Sequence, residues 1–218
     1  MGERRHVVVL AGGDPVEPPL PRPLAVAASV IAADGGYATA AVLGLDVDLL
    51  VGDLDSISPS DLAAARARGT RIEEHPADKD RTDLALALDA ALADGATEVT
   101  VVGGHGGRLD HLLANVALLA ADRYAALSVT ALLGEAVVTI VRGRAELTGR
   151  PGGLVTLLAT HHPAVGVTTT GLTYPLTDAQ LEPGSSLGVS NRCTGTTATV
   201  AVARGTVVVV QPEERHHT

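Results

Sequence analysis

Short apolar runs alternate with amphipathic stretches through the first 134 residues of the chain. Runs such as 6–10 and 47–51 consist mostly of Val and Leu, and each is long enough for one buried strand. The stretches between them have apolar residues at helical spacing and are bounded by Ser, Pro or Gly. The pattern predicts helices over 37–43, 58–68, 82–93 and 109–121. It predicts strands over 6–10, the later part of 25–33, 47–51, 71–75, 99–102 and 127–133.

This alternation is typical of an α/β domain, in which helices cover a parallel sheet. From Gly134 onward the pattern changes to short runs rich in Thr and Val, with a possible helical turn near 178–181. The sequence therefore predicts a Rossmann-like parallel-sheet domain over 1–134 and a small all-β sandwich or barrel over 135–218. The β-type runs are 136–142, 145–147, 154–159, 196–203 and 206–210.

The composition of the chain limits the kinds of molecule that it is expected to bind. The 218 residues include 16 basic and 25 acidic side chains, and this net charge of −9 argues against nonspecific binding to nucleic acid. No apolar run approaches the ~20 residues of a membrane span, and the first ten residues lack the long apolar stretch of a signal peptide. Cys193 is the only cysteine, so the chain has no intrachain disulfide. We expect a cytoplasmic protein that binds neither nucleic acid nor a membrane.

Four acidic motifs fall where predicted strands end or predicted helices begin. In open parallel sheets ligands bind beyond the carboxyl ends of the strands. Carboxylates gathered at that edge suit Mg²⁺ and a polyphosphate, because Mg²⁺ prefers hard oxygen ligands. The motifs are Ala33-Asp34-Gly35-Gly36, Gly52-Asp53-Leu54-Asp55-Ser56, Lys79-Asp80-Arg81-Thr82-Asp83 and Gly107-Arg108-Leu109-Asp110-His111.

Asp53 and Asp55 are two positions apart at the end of a strand. If the β geometry continues, residues i and i+2 face the same side, and both carboxylates can reach one ion. Gly52 would let the backbone approach that ligand closely. The alternative is a turn in which the Asp and Ser side chains bind their own backbone.

Asp80, Thr82 and Asp83 open the most regular helix of the chain. Acidic residues and Thr at a helix N-terminus also cap free N–H groups, so capping is a serious alternative. The preceding Lys79 adds a cation that capping does not require. Together these residues indicate a mixed site for metal and for phosphate or substrate.

A glycine-rich loop over 103–108 joins a predicted strand to a predicted helix. Backbone N–H groups and a helix N-terminus favour an anion there, and Arg108 could bind phosphate oxygens bidentately. The loop does not match the dinucleotide-binding fingerprint, because Leu109 occupies its last glycine position. Asp34-Gly35-Gly36 is either a plain turn or a close backbone approach to a nucleotide.

The order and spacing of the four motifs, with Asn115 after the last, closely resemble thiamine pyrophosphokinases. The segment 171–176 and the pair Ser190-Asn191 resemble the C-terminal domain of that family, so the resemblance covers nearly the whole chain. It implies a nucleotide-binding α/β domain joined to a β-sandwich, in a homodimer with thiamine bound near the subunit interface. The reaction it implies is ATP + thiamine → AMP + thiamine diphosphate. Leu54 stands where many members have Phe, and the chain has no Trp to stack on thiamine.

The resemblance also assigns roles. Asp53, Asp55 and Asp83 are expected to hold Mg²⁺ against the phosphates, and Asp80 to accept the hydroxyl proton. Arg108 is expected to stabilise phosphate charge, and Asp110 to orient either the metal waters or the nucleotide. Two rival hypotheses are a diphosphokinase for another alcohol and a non-catalytic sensor of Mg-nucleotide. The expected ATP contacts are Asp34, Gly35, Gly36, Gly107 and Arg108, and the expected thiamine contacts are Lys79, Thr82, Ser190 and Asn191.

Overall fold

The computed structural model describes residues 4–78 and 80–212. The chain forms two compact units. One contains the described residues up to Leu118 together with Ala126–Gly134, and the other contains Leu119–Ala125 and the described residues from Glu135 onward. Within the described ranges, no helix has both the length and the apolar character that crossing a membrane requires.

The first unit is a parallel sheet with helices, as the sequence predicts. The strand order is β4-β3-β2-β1-β5-β6, and every pairing is parallel. Its strands are β1 (His6–Ala11), β2 (Ser29–Ala33), β3 (Leu49–Gly52), β4 (Arg71–Glu74), β5 (Glu98–Gly103) and β6 (Ser128–Leu133). Its helices are α1 (Tyr37–Leu43), α2 (Pro59–Arg68), α3 (Asp83–Ala93) and α4 (Leu109–Leu119), and a 3-10 turn over Asp34–Gly36 precedes α1.

Local sequence explains where the central helices begin and end. The Ser58 hydroxyl accepts a hydrogen bond from the Asp61 amide at 3.0 Å, which caps α2, and Gly69 ends that helix in the left-handed conformation. The Thr82 hydroxyl accepts from the Ala85 amide at 3.2 Å and caps α3 in the same way. These caps fix the start of α3 at Asp83, a residue predicted to be functional.

Aliphatic side chains form the core of this unit. Residues Val7 to Leu10 of β1 are at most 1% exposed, and Leu88 of α3 is fully buried. β1 is flanked by β2 on one side and β5 on the other, so the order of strands reverses at β1. In an open sheet such a reversal leaves a crevice at the carboxyl ends of the strands, where ligands bind.

The second unit is a sandwich of two antiparallel sheets, with strand orders β12-β9-β14-β7 and β11-β10-β13-β8. Leu147 and Val200 from one sheet share a buried core with Leu157 and Val207 from the other. This confirms the predicted all-β fold as a sandwich. The strands are β7 (Ala136–Val141), β8 (Arg144–Thr148), β9 (Leu154–Ala159), β10 (Ala164–Thr170), β11 (Ala179–Leu181), β12 (Asn191–Arg192), β13 (Thr197–Ala201) and β14 (Val207–Gln211).

Some local features differ from the sequence prediction, and strands β10 and β12 lie outside the predicted runs. The possible helical turn near 178–181 is wrong, because Ala179–Leu181 pairs as a strand with β10 after Asp178 takes a left-handed conformation. The segment Leu119–Ala125 belongs to the second unit although it precedes Gly134. Arg142 explains this grouping, since its guanidinium donates to the carbonyl oxygens of Leu119 at 3.3 Å and Ala121 at 2.9 Å.

Candidate active site

A cleft of about 610 Å³ lies at the carboxyl edge of the parallel sheet. The loops after β1, β2, β3 and β5 line it, together with the first residues of α3 and α4. One side of the cleft carries acidic side chains, and the other carries the glycine-rich loop. The strand order therefore places acidic side chains and glycine-rich backbone opposite each other in the cleft.

Asp34, Asp53 and Asp83 form an acidic cluster on the first side. Each offers one carboxylate oxygen, and the three oxygens lie within 4.8 Å of one another. Asp34 follows β2, Asp53 follows β3, and Asp83 is the first residue of α3. Asp34 is buried, and the other two are half-buried. Three hard oxygen donors at this separation suit a divalent cation such as Mg²⁺.

Gly52 allows the backbone of β3 to pass beside this cluster. Its φ is +152°, and a Cβ atom there would lie 2.9 Å from the Asp34 Cβ and 3.0 Å from an Asp83 carboxylate oxygen. The first of these separations is one that real Cβ atoms do not tolerate. The glycine thus makes room for two of the three carboxylates.

Asp55 is not part of the cluster, and the geometry assumed for it is wrong. β3 ends at Gly52, and Leu54 takes a left-handed conformation with φ of 62°. The chain therefore leaves β geometry between Asp53 and Asp55. The exposed Asp55 carboxylate accepts from the Ser56 hydroxyl at 2.8 Å. The Asp55 amide donates to the Asp53 Oδ1 at 3.4 Å, a side-chain bond to nearby backbone as in the turn alternative.

Asp34 is the most deeply buried member of the cluster. Its Oδ2 accepts from the Ser56 amide at 3.2 Å, whereas its buried Oδ1 has no hydrogen-bond partner within residues 4–78 and 80–212. Burial raises the pKa of the Asp34 carboxyl, and the nearby Asp83 carboxylate raises it further, against the lowering effect of hydrogen bonds from Ser56. A buried carboxylate oxygen without a donor is costly, and a cation would remove that cost. The donor set therefore fits Mg²⁺.

Asp34→Asn should raise the melting temperature of the metal-free protein at pH 7. A carboxyl whose pKa is raised on folding makes the metal-free fold less stable as the pH rises through the interval between its unfolded and folded pKa values. Asn carries no charge, so this loss disappears in the variant. Thermal unfolding in EDTA at pH 4 to 7 measures the effect, and added Mg²⁺ should then stabilise the wild type more than the variant. A variant less stable than the wild type at pH 7 in EDTA would contradict this account.

The glycine-rich loop forms the opposite side of the cleft. Gly104 and Gly106 both have φ of 76°, and the Asn115 side-chain amide donates to the Gly104 carbonyl at 3.0 Å. The Asp14 amide donates to the His105 carbonyl at 2.9 Å, which joins this loop to the loop after β1. Concave backbone next to a helix start is an arrangement that binds anions.

Arg108 lines the cleft at the end of this loop. Its guanidinium is bound to the Asp110 carboxylate by two hydrogen bonds, at 2.6 and 3.2 Å. Both side chains are exposed, and the pairing lowers the pKa of the Asp110 carboxyl. A phosphate at Arg108 would have to replace Asp110 as its bidentate partner. Asp110 itself is outside the cleft lining.

The remaining α/β residues predicted to be functional are placed as follows. Gly35 and Gly107 line the cleft, whereas Gly36 packs against the Leu10 carbonyl, where a Cβ atom would lie 2.2 Å away. Thr82 lines the cleft, and its hydroxyl also caps α3, so capping is part of its role. Asp80 is exposed and outside the cleft lining. The prediction for Lys79 falls outside the described residues.

Ser190 and Asn191 lie in the second unit. The buried Asn191 side chain accepts from the Tyr174 amide at 3.0 Å and donates to the Tyr174 carbonyl at 2.7 Å. Asn191 therefore fixes the segment around Tyr174. Ser190 has φ of 57°, and its amide donates to the Thr156 hydroxyl at 3.1 Å.

The sequence did not lead us to group Asp34 with the carboxylates of Asp53 and Asp83 as a metal ligand. It also gave Arg81 no role. The signal for Asp34 was present: it follows a predicted strand, and carboxyl ends of neighbouring parallel strands meet at one edge. No local signal marks Arg81, because its partner Asp89 lies two turns along α3.

An acidic cluster facing a glycine-rich loop in an α/β domain is an arrangement typical of phosphotransferases. Residues 22–130 match the family model described as the catalytic domain of thiamin pyrophosphokinase, and residues 145–207 match the vitamin B1 binding domain of the same enzyme. The chain belongs to the thiamin pyrophosphokinase family. The predicted family is confirmed, and with it the predicted type of enzyme, an ATP-dependent diphosphokinase.

Individual relatives agree with this assignment. The chain is 26% identical over 192 residues to a thiamine pyrophosphokinase of Bacillus subtilis, covering 83% of this chain and 86% of the relative. A crystal structure of thiamine pyrophosphokinase from Bacillus subtilis has a TM-score of 0.81 at 22% identity, with 96% of this chain and 100% of that chain covered. A structure of a thiamin pyrophosphokinase family protein from Enterococcus faecalis has a TM-score of 0.77 at 25% identity, with 97% and 100% covered.

Proposed function

We propose that the chain transfers the diphosphoryl group of ATP to the primary hydroxyl of thiamine, giving thiamine diphosphate and AMP. The observation that carries this proposal is the acidic cluster of Asp34, Asp53 and Asp83 opposite the glycine-rich loop in one cleft. Both family domains support thiamine as the acceptor. Transfer is direct, so the reaction depends on placing the hydroxyl in line with the β-phosphorus of ATP.

Asp34, Asp53 and Asp83 would hold Mg²⁺. When bound, the ion neutralises phosphate charge as the diphosphoryl group is transferred. Asp55 stays a proposed fourth ligand on the sequence resemblance alone, since its exposed carboxylate accepts from Ser56 and lies outside the cluster. The buried Oδ1 of Asp34, which has no hydrogen-bond partner among the described residues, supports this donor set, because a cation would offset the cost of burying it.

The glycine-rich loop and Arg108 would bind the ATP phosphates. Backbone N–H groups of the loop through Gly107 donate to phosphate oxygens, and Arg108 exchanges Asp110 for phosphate. Asp110 then orients the nucleotide or the water around it. We also assign close backbone contacts with the nucleotide to Asp34, Gly35 and Gly36. Asp34 and Gly35 line the cleft, whereas Gly36 packs against the Leu10 carbonyl beside them.

The residues that act on thiamine are assigned from the sequence resemblance. Asp80 is the proposed acceptor of the hydroxyl proton. We assign thiamine contacts to Lys79, Thr82, Ser190 and Asn191, and thiamine binding to the β-sandwich domain over 135–218. A homodimer in the cytoplasm, with nucleotide binding and catalysis in 1–134, completes the proposal.

An assay of AMP release tests this function. Purified protein is incubated with ATP, Mg²⁺ and thiamine, and both AMP and ADP are measured. We expect AMP with thiamine, little without it, and none in EDTA. AMP formation only with another alcohol would indicate a different diphosphokinase, and binding of Mg-ATP without AMP from any acceptor would indicate a sensor.

A further inference from the structure

Arg81 connects the active-site cleft to the flank of helix α3. It lines the cleft directly before Thr82, and its Nη2 lies 2.5 Å from the Asp89 Oδ2. The two side chains are 33% and 23% exposed, so this ion pair is less open to water than the other arginine–carboxylate pair at the cleft, Arg108–Asp110. A charge-assisted hydrogen bond is stronger when it is partly shielded from solvent.

The pair reaches across the first turns of the helix. Asp89 is six residues after Asp83, which corresponds to about 9 Å along the helix axis at ~1.5 Å per residue. The Arg81 side chain must therefore extend from before the helix along α3, toward its C-terminus, to reach Asp89. The chain that leads into the helix is held at two points, by the Thr82 hydroxyl at the helix start and by the Arg81 guanidinium further along.

The direction of this chain segment determines where Asp83 points. Asp83 is the first residue of α3, and its carboxylate belongs to the cluster with Asp34 and Asp53. The cap at Thr82 sets the helix start. The Arg81–Asp89 pair adds a second attachment to α3 for the residue directly before that cap.

We propose that Arg81 and Asp89 are positioning residues, whose ion pair holds the start of α3 so that Asp83 stays within the acidic cluster. The inference rests on the metal role proposed above for Asp83. It differs from a direct role, in which the Arg81 guanidinium would itself touch the phosphates. In the positioning role both Arg81 and Asp89 are needed for Mg²⁺ binding in the absence of nucleotide, and in the direct role neither residue is.

Asp89→Asn and Arg81→Gln separate these roles. Mg²⁺ affinity is measured by titration calorimetry on the nucleotide-free protein, and kcat and KM for ATP and thiamine are measured alongside. Loss of a residue that orients a metal ligand typically weakens metal binding by about 10- to 100-fold. We expect both variants to bind Mg²⁺ about tenfold more weakly and to have a reduced kcat. The double variant should be no worse than either single one, and Asp89→Glu should recover most of the affinity.

Asp94→Asn is the matched control. Asp94 ends the same helix and pairs with Arg5 at a more exposed position, away from the cleft. This variant should keep wild-type Mg²⁺ affinity and kcat. Asp89→Asn with wild-type Mg²⁺ affinity would overturn the positioning role, and so would a loss confined to Arg81→Gln.

Asp83→Asn distinguishes failure of this inference from failure of the metal assignment. If Asp83→Asn loses Mg²⁺ affinity and Asp89→Asn does not, only the positioning role is overturned. If Asp83→Asn binds Mg²⁺ as the wild type does, the metal assignment itself is wrong and the positioning role falls with it. Far-UV circular dichroism on each variant confirms that the fold is retained before either conclusion is drawn.

Discussion

Replacing Asp53 by Asn should lower the rate of AMP formation by about a thousandfold while leaving the fold intact. Removing one group that stabilises charge in a transition state costs roughly a hundred- to a thousandfold, and a metal ligand acts on several phosphate oxygens at once. Asp53 lies in the loop after β3 and is half-buried at the cleft, outside the apolar core. Asn has nearly the same shape, and the change therefore removes charge without creating a cavity.

The measurement is kcat for AMP formation at saturating ATP, Mg²⁺ and thiamine, together with the shift in melting temperature caused by Mg²⁺. Asp53→Asn should lose both the activity and the shift. Asp55→Asn is the informative comparison, because the structure places Asp55 outside the cluster. A similar loss there would support four ligands, whereas a loss of a few-fold would limit the set to Asp34, Asp53 and Asp83. Retention of a tenth of wild-type activity by Asp53→Asn would refute the metal assignment.

Most of the α/β fold was predictable, because most of its strands are apolar runs and because α2 and α3 carry their own caps. Ser58 and Thr82 begin α2 and α3 where local sequence places them. The end of α4 was harder to predict from the sequence. The predicted helix extends to residue 121, but α4 ends at Leu119, whose carbonyl is bound by Arg142. A partner 23 positions away leaves no trace in local periodicity.

The β-sandwich was predictable as a class but not in all its strands. β11 has three residues, too few for an alternating pattern, and it depends on pairing with β10. β10 contains Gly166 in a left-handed conformation at an irregularity in its pairing. Glycine inside a strand weakens the local signal, so only tertiary pairing defines this sheet edge.

The candidate site shows the same division between local and long-range information. Asp53 and Asp83 were predicted because each follows a strand end or opens a helix. Asp55 was expected beside them because residues i and i+2 share one face of a strand. The left-handed Leu54 breaks that rule, and leucine rarely takes this conformation, so its identity gives no warning. Asp34 takes the third place in the cluster, since β2 and β3 are neighbours in the sheet.

Gly52→Ala should reduce activity by about a hundredfold or more, and it should also destabilise the α/β unit. The new Cβ would lie 2.9 Å from the Asp34 Cβ and 3.0 Å from an Asp83 carboxylate oxygen, so at least one carboxylate must move. A displacement of about 1 Å in a catalytic site costs on the order of a hundredfold in rate. The φ of +152° adds backbone strain of roughly 1 to 3 kcal/mol for any residue with a Cβ.

Gly69→Ala separates the two effects of this change. Gly69 also has positive φ, at +79°, but a Cβ atom there would meet nothing within 4 Å. This control variant should lose about 1 kcal/mol of unfolding free energy in urea and keep wild-type Mg²⁺ affinity and kcat. Gly52→Ala should instead lose Mg²⁺ affinity as well as stability. If both variants retain full turnover and Mg²⁺ binding, the packing of β3 against the carboxylates does not shape the metal site. The close approach at Gly52 would then serve the fold alone.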